Sequence, residues 1–196
     1  MQFNFFSNAD DDSTEGFEGF RYQPSLIDAG EEKALVARVR ALPFQEFDFH
    51  GYKGKRRVVS FGWKYDFSGG GQLRKADDIP GFLLGLRSTA ASFAELEPEA
   101  FQHVLVTEYR PGAGIGWHRD KAVFGEVVGI SLLAPCILRF RRKVDGKWER
   151  VNVLAERGSA YHLTRSARAE WEHSILRVDA LRYSITFRTM AAEGQR

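Results

Sequence analysis

The spacing of apolar positions changes character near residue 100. In "DAGEEKALVARVRAL", Asp28 to Leu42, apolar residues recur at steps of three to four, and Asp28 and Glu31 stand at capping-box spacing, so a helix is predicted. A second helix is signalled by "DDIPGFLLGLRSTAASFAEL", where acids and Pro80 precede the apolar run. Between them, "FDFHGYKGKRRVVSFGWKYDFSGGG" alternates aromatic and polar residues and is broken by glycine, which predicts strands and hairpins carrying exposed aromatics and bases. From Phe101 onward the period shortens to two: "HVLVTEY", "VVGISLL", "CILRFRR", "WERVNVL", "SAYHL" and "RYSITFR" read as short strands separated by Gly, Pro or polar turns. Strands so spaced predict a sandwich or barrel of antiparallel sheets, with the two helices on one outer face. The fold class expected is α+β.

The 196 residues fit one domain large enough to bury a core without covalent staples. Residues 1–19, acidic with isolated Phe, read as a flexible tail, residues 20–190 as the domain, and residues 191–196 as a second tail. The chain has no apolar run long enough for a membrane span, and its N-terminus lacks a basic head, so neither membrane nor secretion signal is expected. Cys136 is the single cysteine, which fits a reducing cytoplasm. A monomer is expected.

Charge adds one asymmetry. Residues 1–50 hold four Lys or Arg against ten Asp or Glu, whereas residues 51–196 hold 24 against 16. The second part is therefore basic, which mildly favours phosphate-bearing partners such as nucleic acid.

Candidate chemistry centres on "YRPGAGIGWHRDKAVFGE", Tyr109 to Glu126. In extended backbone, His118 and Asp120 project to one side, aiming a nitrogen and a carboxylate at a common point. A bare His-x-Asp usually forms only a hydrogen bond, so a third ligand is needed. His162, in an alternating strand, is expected to be a packed histidine. His173, in "EWEHSILR" after the loop "TRSARAEW", can reach a barrel mouth. Two His and one carboxylate on one side of a metal leave the opposite positions open, as in non-haem Fe(II) oxygenases. On "LRYSITFR", Arg182, Ser184, Thr186 and Arg188 share one face; inside a barrel those guanidiniums need an anionic partner, and on the outside they are merely solvated.

Together "WHRD", "WEHSI" and "RYSITFR" closely resemble the AlkB-like Fe(II)- and 2-oxoglutarate-dependent dioxygenases, from about Tyr22 to Arg188. The order and local context of "EYRPGAGIGWHRDK", "GISLLAPCILRF", the "RGS" turn and the paired arginines agree as well. The resemblance implies a double-stranded β-helix (jelly-roll) core, with His118, Asp120 and His173 binding iron. It places Arg182 on the distal carboxylate of 2-oxoglutarate, Arg188 near the carboxylate beside the keto group, and Tyr109 on the cosubstrate. Thr107 and Ser184 stand where the family commonly has Asn. With O2, the implied reaction is oxidative dealkylation of methyl or etheno adducts in DNA or RNA, releasing aldehyde, succinate and CO2. The alternative is hydroxylation or demethylation of a protein side chain or a tRNA modification.

The resemblance further implies a lid before the barrel that clamps an extruded base, with Trp63 to stack, Tyr65 and Phe67 nearby, and Lys53, Lys55, Arg56 and Arg57 for phosphates; alternatively, Phe61, Trp63 and Tyr65 form one buried strand face and the basic side chains are merely solvated. Where base-repair members carry an acid just after the iron-binding Asp, this chain has Lys121 and Ala122, with the next acid at Glu126.

Overall fold

The computed structural model describes residues 2–4, 17–49, 52–66 and 72–191. Their strands are β1 (Gln2–Asn4), β2 (Phe20–Gln23), β3 (Gln45–Phe49), β4 (Tyr52–Phe61), β5 (Trp63–Asp66), β6 (Gln72–Lys75) and β7 (Phe101–Tyr109). Then come β8 (Ile115–His118), β9 (Phe124–Leu132), β10 (Cys136–Val144), β11 (Lys147–Ala155), β12 (Ala160–Leu163), β13 (Glu172–Ile175) and β14 (Arg182–Met190). The helices are α1 (Ala29–Val39), α2 (Leu84–Ala94) and α3 (Arg165–Ala169).

Two sheets face one another. One has five strands in the order β1-β11-β10-β13-β8, the other seven in the order β2-β12-β9-β14-β7-β4-β3, while β5 and β6 form a separate hairpin. All pairings are antiparallel except that of β1 with β11. In the seven-stranded sheet β14 lies between β7 and β9, the most protected place for the arginine strand.

The predicted helices form where the signals stand. Asp28 caps α1, accepting from Gly30 and Glu31 N–H, and Glu31 returns to the Asp28 N–H, completing the box. The second signal splits into a 3-10 turn over Gly81–Leu83, preceded by Pro80, and then α2. Val36 and Val39 of α1 and Leu86, Ala90, Ala91 and Ala94 of α2 bury against Val104, Val106, Ile185 and Phe187, sealing the outer face of the larger sheet. Between the sheets a second cluster joins Leu138, Phe140 and Ile175 to Tyr109, Val127 and Leu163.

Three expectations shift. Phe17 to Gly19, at the end of the stretch read as a tail, belong to the packed body: Phe17 lies 4.1 Å from Trp171 and 5.1 Å from Phe20, ring centre to ring centre. The run "TRSARAEW", read as a loop, contains the short helix α3, whose small Ala167 and Ser166 are buried. "IGWH" and "EHSI" form strands as well, because His118 and His173 pair directly across β8 and β13. Phe67 lies outside the described residues, as does the side chain of Lys53.

Candidate metal centre and cosubstrate cavity

The register of the smaller sheet assembles the centre. Opposed residues of antiparallel strands project to the same face, so the pairings Phe140 with His173 and His173 with His118 put both imidazoles on the inner face. Asp120 follows two residues beyond, where the chain leaves β8. One ligand atom each from His118, Asp120 and His173 lies within 4.8 Å of the others. The two imidazole rings are 4.2 Å apart, centre to centre.

The surroundings set the protonation needed for ligation. His118 Nδ1–H donates to the Gly116 carbonyl at 2.9 Å, which leaves Nε2 as the lone-pair nitrogen facing inward. Burial lowers the pKa of both histidines, that of His173 to about 3, so both imidazoles are neutral. For Asp120 burial pulls upward, but Arg188, His173, His118 and Arg168 together outweigh it and hold the carboxyl well below its ordinary range. Arg188 Nη2 donates to Asp120 Oδ1 at 2.9 Å. Arg168 steadies the loop after the ligand by donating to the carbonyls of Lys121, Phe124 and Gly125.

Behind these three side chains lies a cavity of about 630 Å³. Thr107, Tyr109, Ser184, Thr186 and Arg188 line it from the larger sheet, so the polar face of the last strand points inward. Arg182 stands beside it, 1% exposed: Nε donates to Ser131 Oγ at 3.0 Å and the guanidinium lies 4.8 Å from the Tyr109 ring centre. Arg182 Nη1 and Arg188 Nε are buried and have no hydrogen-bond partner. A buried guanidinium with an idle donor needs an anion, and a dicarboxylate is the group two such forks fit. Tyr161 closes one wall, its ring lying over Gly129, where any Cβ would collide with it.

A sequence profile described as "2OG-Fe(II) oxygenase superfamily" matches residues 20–188. The chain belongs to that superfamily. It is an AlkB-like member, and so an Fe(II)- and 2-oxoglutarate-dependent dioxygenase. The oxygenase is 25% identical over 189 residues to the "Alkylated DNA repair protein ALKBH8 homolog" of Arabidopsis thaliana, covering 84% of this chain and 52% of that protein. The chain thus spans about half the length of this curated relative. Among solved structures it resembles OsALKBH1 (TM-score 0.70, 16% identity, 90% of this chain and 99% of the other). It also resembles a 2OG-Fe(II) oxygenase-family protein from Burkholderia pseudomallei (0.63, 18%, 88% and 85%) and a Pseudomonas putida prolyl-4-hydroxylase (0.59, 16%, 89% and 94%). These likenesses bear out the jelly-roll core; the family uses Fe(II), 2-oxoglutarate and O2. The His–Asp–His donor set and the unpartnered Arg182 Nη1 and Arg188 Nε of the oxygenase fit that pair of groups.

The residues expected at the lid divide. Arg56 and Tyr65 line the cavity, whereas Arg57 and Trp63 do not. Arg56 and Arg57 are neighbours on one strand and so face opposite ways. Arg57 is held on the far side by Glu108, Nε and Nη2 each donating at 2.8 Å, and stacks on Phe44. Trp63 follows Gly62, whose φ of +74° and closeness to the Gln102 carbonyl admit no side chain; that kink ends the alternation of β4 before Trp63.

His162 is the packed histidine expected: 3% exposed, with Nε2 2.7 Å from Glu126 Oε2. The sequence reading missed His103, Arg119 and Arg168. His103 lines the cavity with Nδ1 3.5 Å from Arg188 Nη1. Its parity with Leu105, Thr107 and Tyr109 on β7 is the signal that could have found it.

Proposed function

We propose that this dioxygenase removes alkyl groups from bases of DNA or RNA. The observation that carries the reading is one cavity with the His118–Asp120–His173 cluster at its floor and Arg56, Tyr65 and Lys121 on its walls. His118 through Nε2, Asp120 and His173 would hold Fe(II), and Arg188 orients the Asp120 carboxylate for that work. Arg182 would take the distal carboxylate of 2-oxoglutarate and Arg188 the one beside the keto group, with Tyr109, Thr107 and Ser184 hydrogen-bonding to the cosubstrate. When bound, Fe(II), 2-oxoglutarate and O2 supply hydroxylation of a C–H bond with release of succinate and CO2, and an N-alkyl carbon so hydroxylated leaves as aldehyde with the free N–H.

The walls suit an extruded base. Tyr65 lines the cavity, and Lys121 Nζ sits 5.2 Å from its ring centre, so the β5–β6 hairpin and the loop after Asp120 meet there. Arg56, Arg119 and Lys121 line the same cavity, an electropositive rim for the phosphates that flank a base. Lys121 stands directly after Asp120 and is a donor, so it would meet a carbonyl oxygen of the base rather than an exocyclic amine.

The test is formaldehyde and succinate release from a panel of N-methylated and etheno-modified DNA and RNA oligonucleotides. Aldehyde in step with succinate on at least one modified base is the expected result. Succinate formed only with peptides, or with no nucleic acid in the panel, would refute the reading and leave the hydroxylase alternative.

A further inference from the structure

The outer face of the smaller sheet carries an aromatic and cationic ladder that the chemistry above does not use. On β10, Arg139 is opposite Asn152 and Ser174, Arg141 is opposite Arg150 and Glu172, and Lys143 is opposite Trp148. Opposed residues share a face, and Phe140 and His173, one position along, point inward. Trp117, next to His118 on β8, therefore points outward. The Arg141 guanidinium lies 4.4 Å from the ring of Trp117 and 4.4 Å from that of Trp148, a cation between two indoles. Arg139 stacks 4.8 Å from Trp117 and donates to Ser174 Oγ at 3.0 Å.

Such order is unusual for solvated side chains. Arg141 Nε donates to Glu172 at 2.6 Å, so both faces and one edge of its fork are fixed. Trp148 remains 38% exposed, and Arg150 and Lys143 are exposed beside it. Among the described residues on this face, four cations (Arg139, Arg141, Lys143 and Arg150) stand against one carboxylate, Glu172. Trp117 directly precedes the candidate ligand His118 on β8, so the ladder begins beside the metal centre. From β8 across β13 and β10 to β11 it runs three strand spacings, roughly 14 Å.

We propose that this face is a track for single-stranded nucleic acid leading away from the catalytic cavity: Arg139, Lys143 and Arg150 take phosphates and Trp148 stacks a base, while Arg141 splints the indoles. The inference rests on the substrate class proposed above. Charge decides for a polyanion, and the exposed indole decides for an unpaired strand, since the bases of a duplex present no free ring face. An acidic protein segment would use the same cations but would gain nothing specific from the indole.

The test measures affinity of the full-length, Fe(II)-loaded protein for an unmodified single-stranded 12-mer by fluorescence anisotropy, without O2, over a range of salt concentrations. Substitution of Arg139→Ala together with Arg150→Ala is expected to weaken binding and to reduce the slope of log affinity against log salt by about 1.4, at roughly 0.7 per lost phosphate contact on a single strand. Trp148→Ala is expected to weaken binding roughly five- to a hundredfold with the slope kept. Arg150→Glu, at an exposed position, serves where the double variant folds poorly. Turnover of a modified mononucleoside, too short to reach the ladder, should match wild type in every variant. Wild-type affinity and slope in the variants overturn the track even if dealkylation is found. Oligonucleotide binding lost in the variants, in a protein that dealkylates nothing, keeps the track and removes the proposed chemistry. Loss that is equal for acidic peptides, with Trp148→Ala silent, overturns it in favour of a protein partner.

Discussion

Arg182→Met separates a structural arginine from a cosubstrate anchor because the first role puts the loss in folding stability and the second in 2-oxoglutarate affinity. Arg182 is 1% exposed, makes one hydrogen bond to Ser131 at 3.0 Å, and keeps Nη1 unpartnered. Without cosubstrate, that idle donor costs about 1–3 kcal/mol. Methionine removes it, preserves most of the contact with Tyr109, and loses the Ser131 bond, worth about 1 kcal/mol. The free protein should therefore change by no more than about 2 kcal/mol in either direction. Binding of 2-oxoglutarate should fall much further. A buried, hydrogen-bonded charge pair loses about 2–5 kcal/mol when one partner is truncated, which is roughly thirtyfold to several thousandfold in Kd. Calorimetric titration of 2-oxoglutarate into metal-loaded protein without O2 measures the affinity, and urea unfolding of the same sample measures the stability. Affinity within threefold of wild type, or a free protein destabilised by more than about 3 kcal/mol, would show that the residue holds the fold and not the ligand.

Two further outcomes are expected. His173→Ala should abolish stoichiometric Fe(II) binding, read by equilibrium dialysis. His162→Ala should retain it and lower stability by about 1–2 kcal/mol, since its partner Glu126 is 35% exposed and partly re-solvates; equal loss of iron in both variants would exclude His173 as the third ligand. Glu108 is held below the ordinary carboxylate range first by its Arg57 hydrogen bonds, against burial, with further help from Arg110. Its folded form binds fewer protons than the unfolded chain, so the stability it contributes is full above the unfolded value of about 4.5 and decays as pH falls through the lower folded value. Urea midpoints between pH 5 and pH 2 should therefore drop less steeply in Glu108→Gln than in wild type, and parallel curves would refute the linkage.

Local chemistry made part of this protein legible in its residues. The Asp28–Glu31 box marks the start of α1 because capping depends on four consecutive residues. The face shared by Arg182, Ser184, Thr186 and Arg188 follows from strand parity, and the short His118-x-Asp120 spacing keeps those two side chains close just past the end of β8. Order and spacing of the motifs were enough to indicate the family. Parity says which side chains go together, but not which side is the interior. That is why neighbouring Arg56 and Arg57 could not be told apart until β4 was seated against β7, sending Arg57 to Glu108 and Arg56 to the cavity.

The remaining decisions were made by contacts distant along the chain. His173 joins His118 because β13 pairs with both β8 and β10, a register set by the packing of two sheets. The kink at Gly62 arises where Gln102 passes beneath it, 40 positions away, and it turns Trp63 out of phase with β4. The Trp117–Arg141–Trp148 ladder likewise exists only once β8, β13, β10 and β11 lie side by side in one sheet. Sequence determines periodicity and ligand chemistry because these are carried by near neighbours; burial, register and the partner of each buried charge are properties of the closed fold, and only the tertiary structure decides them.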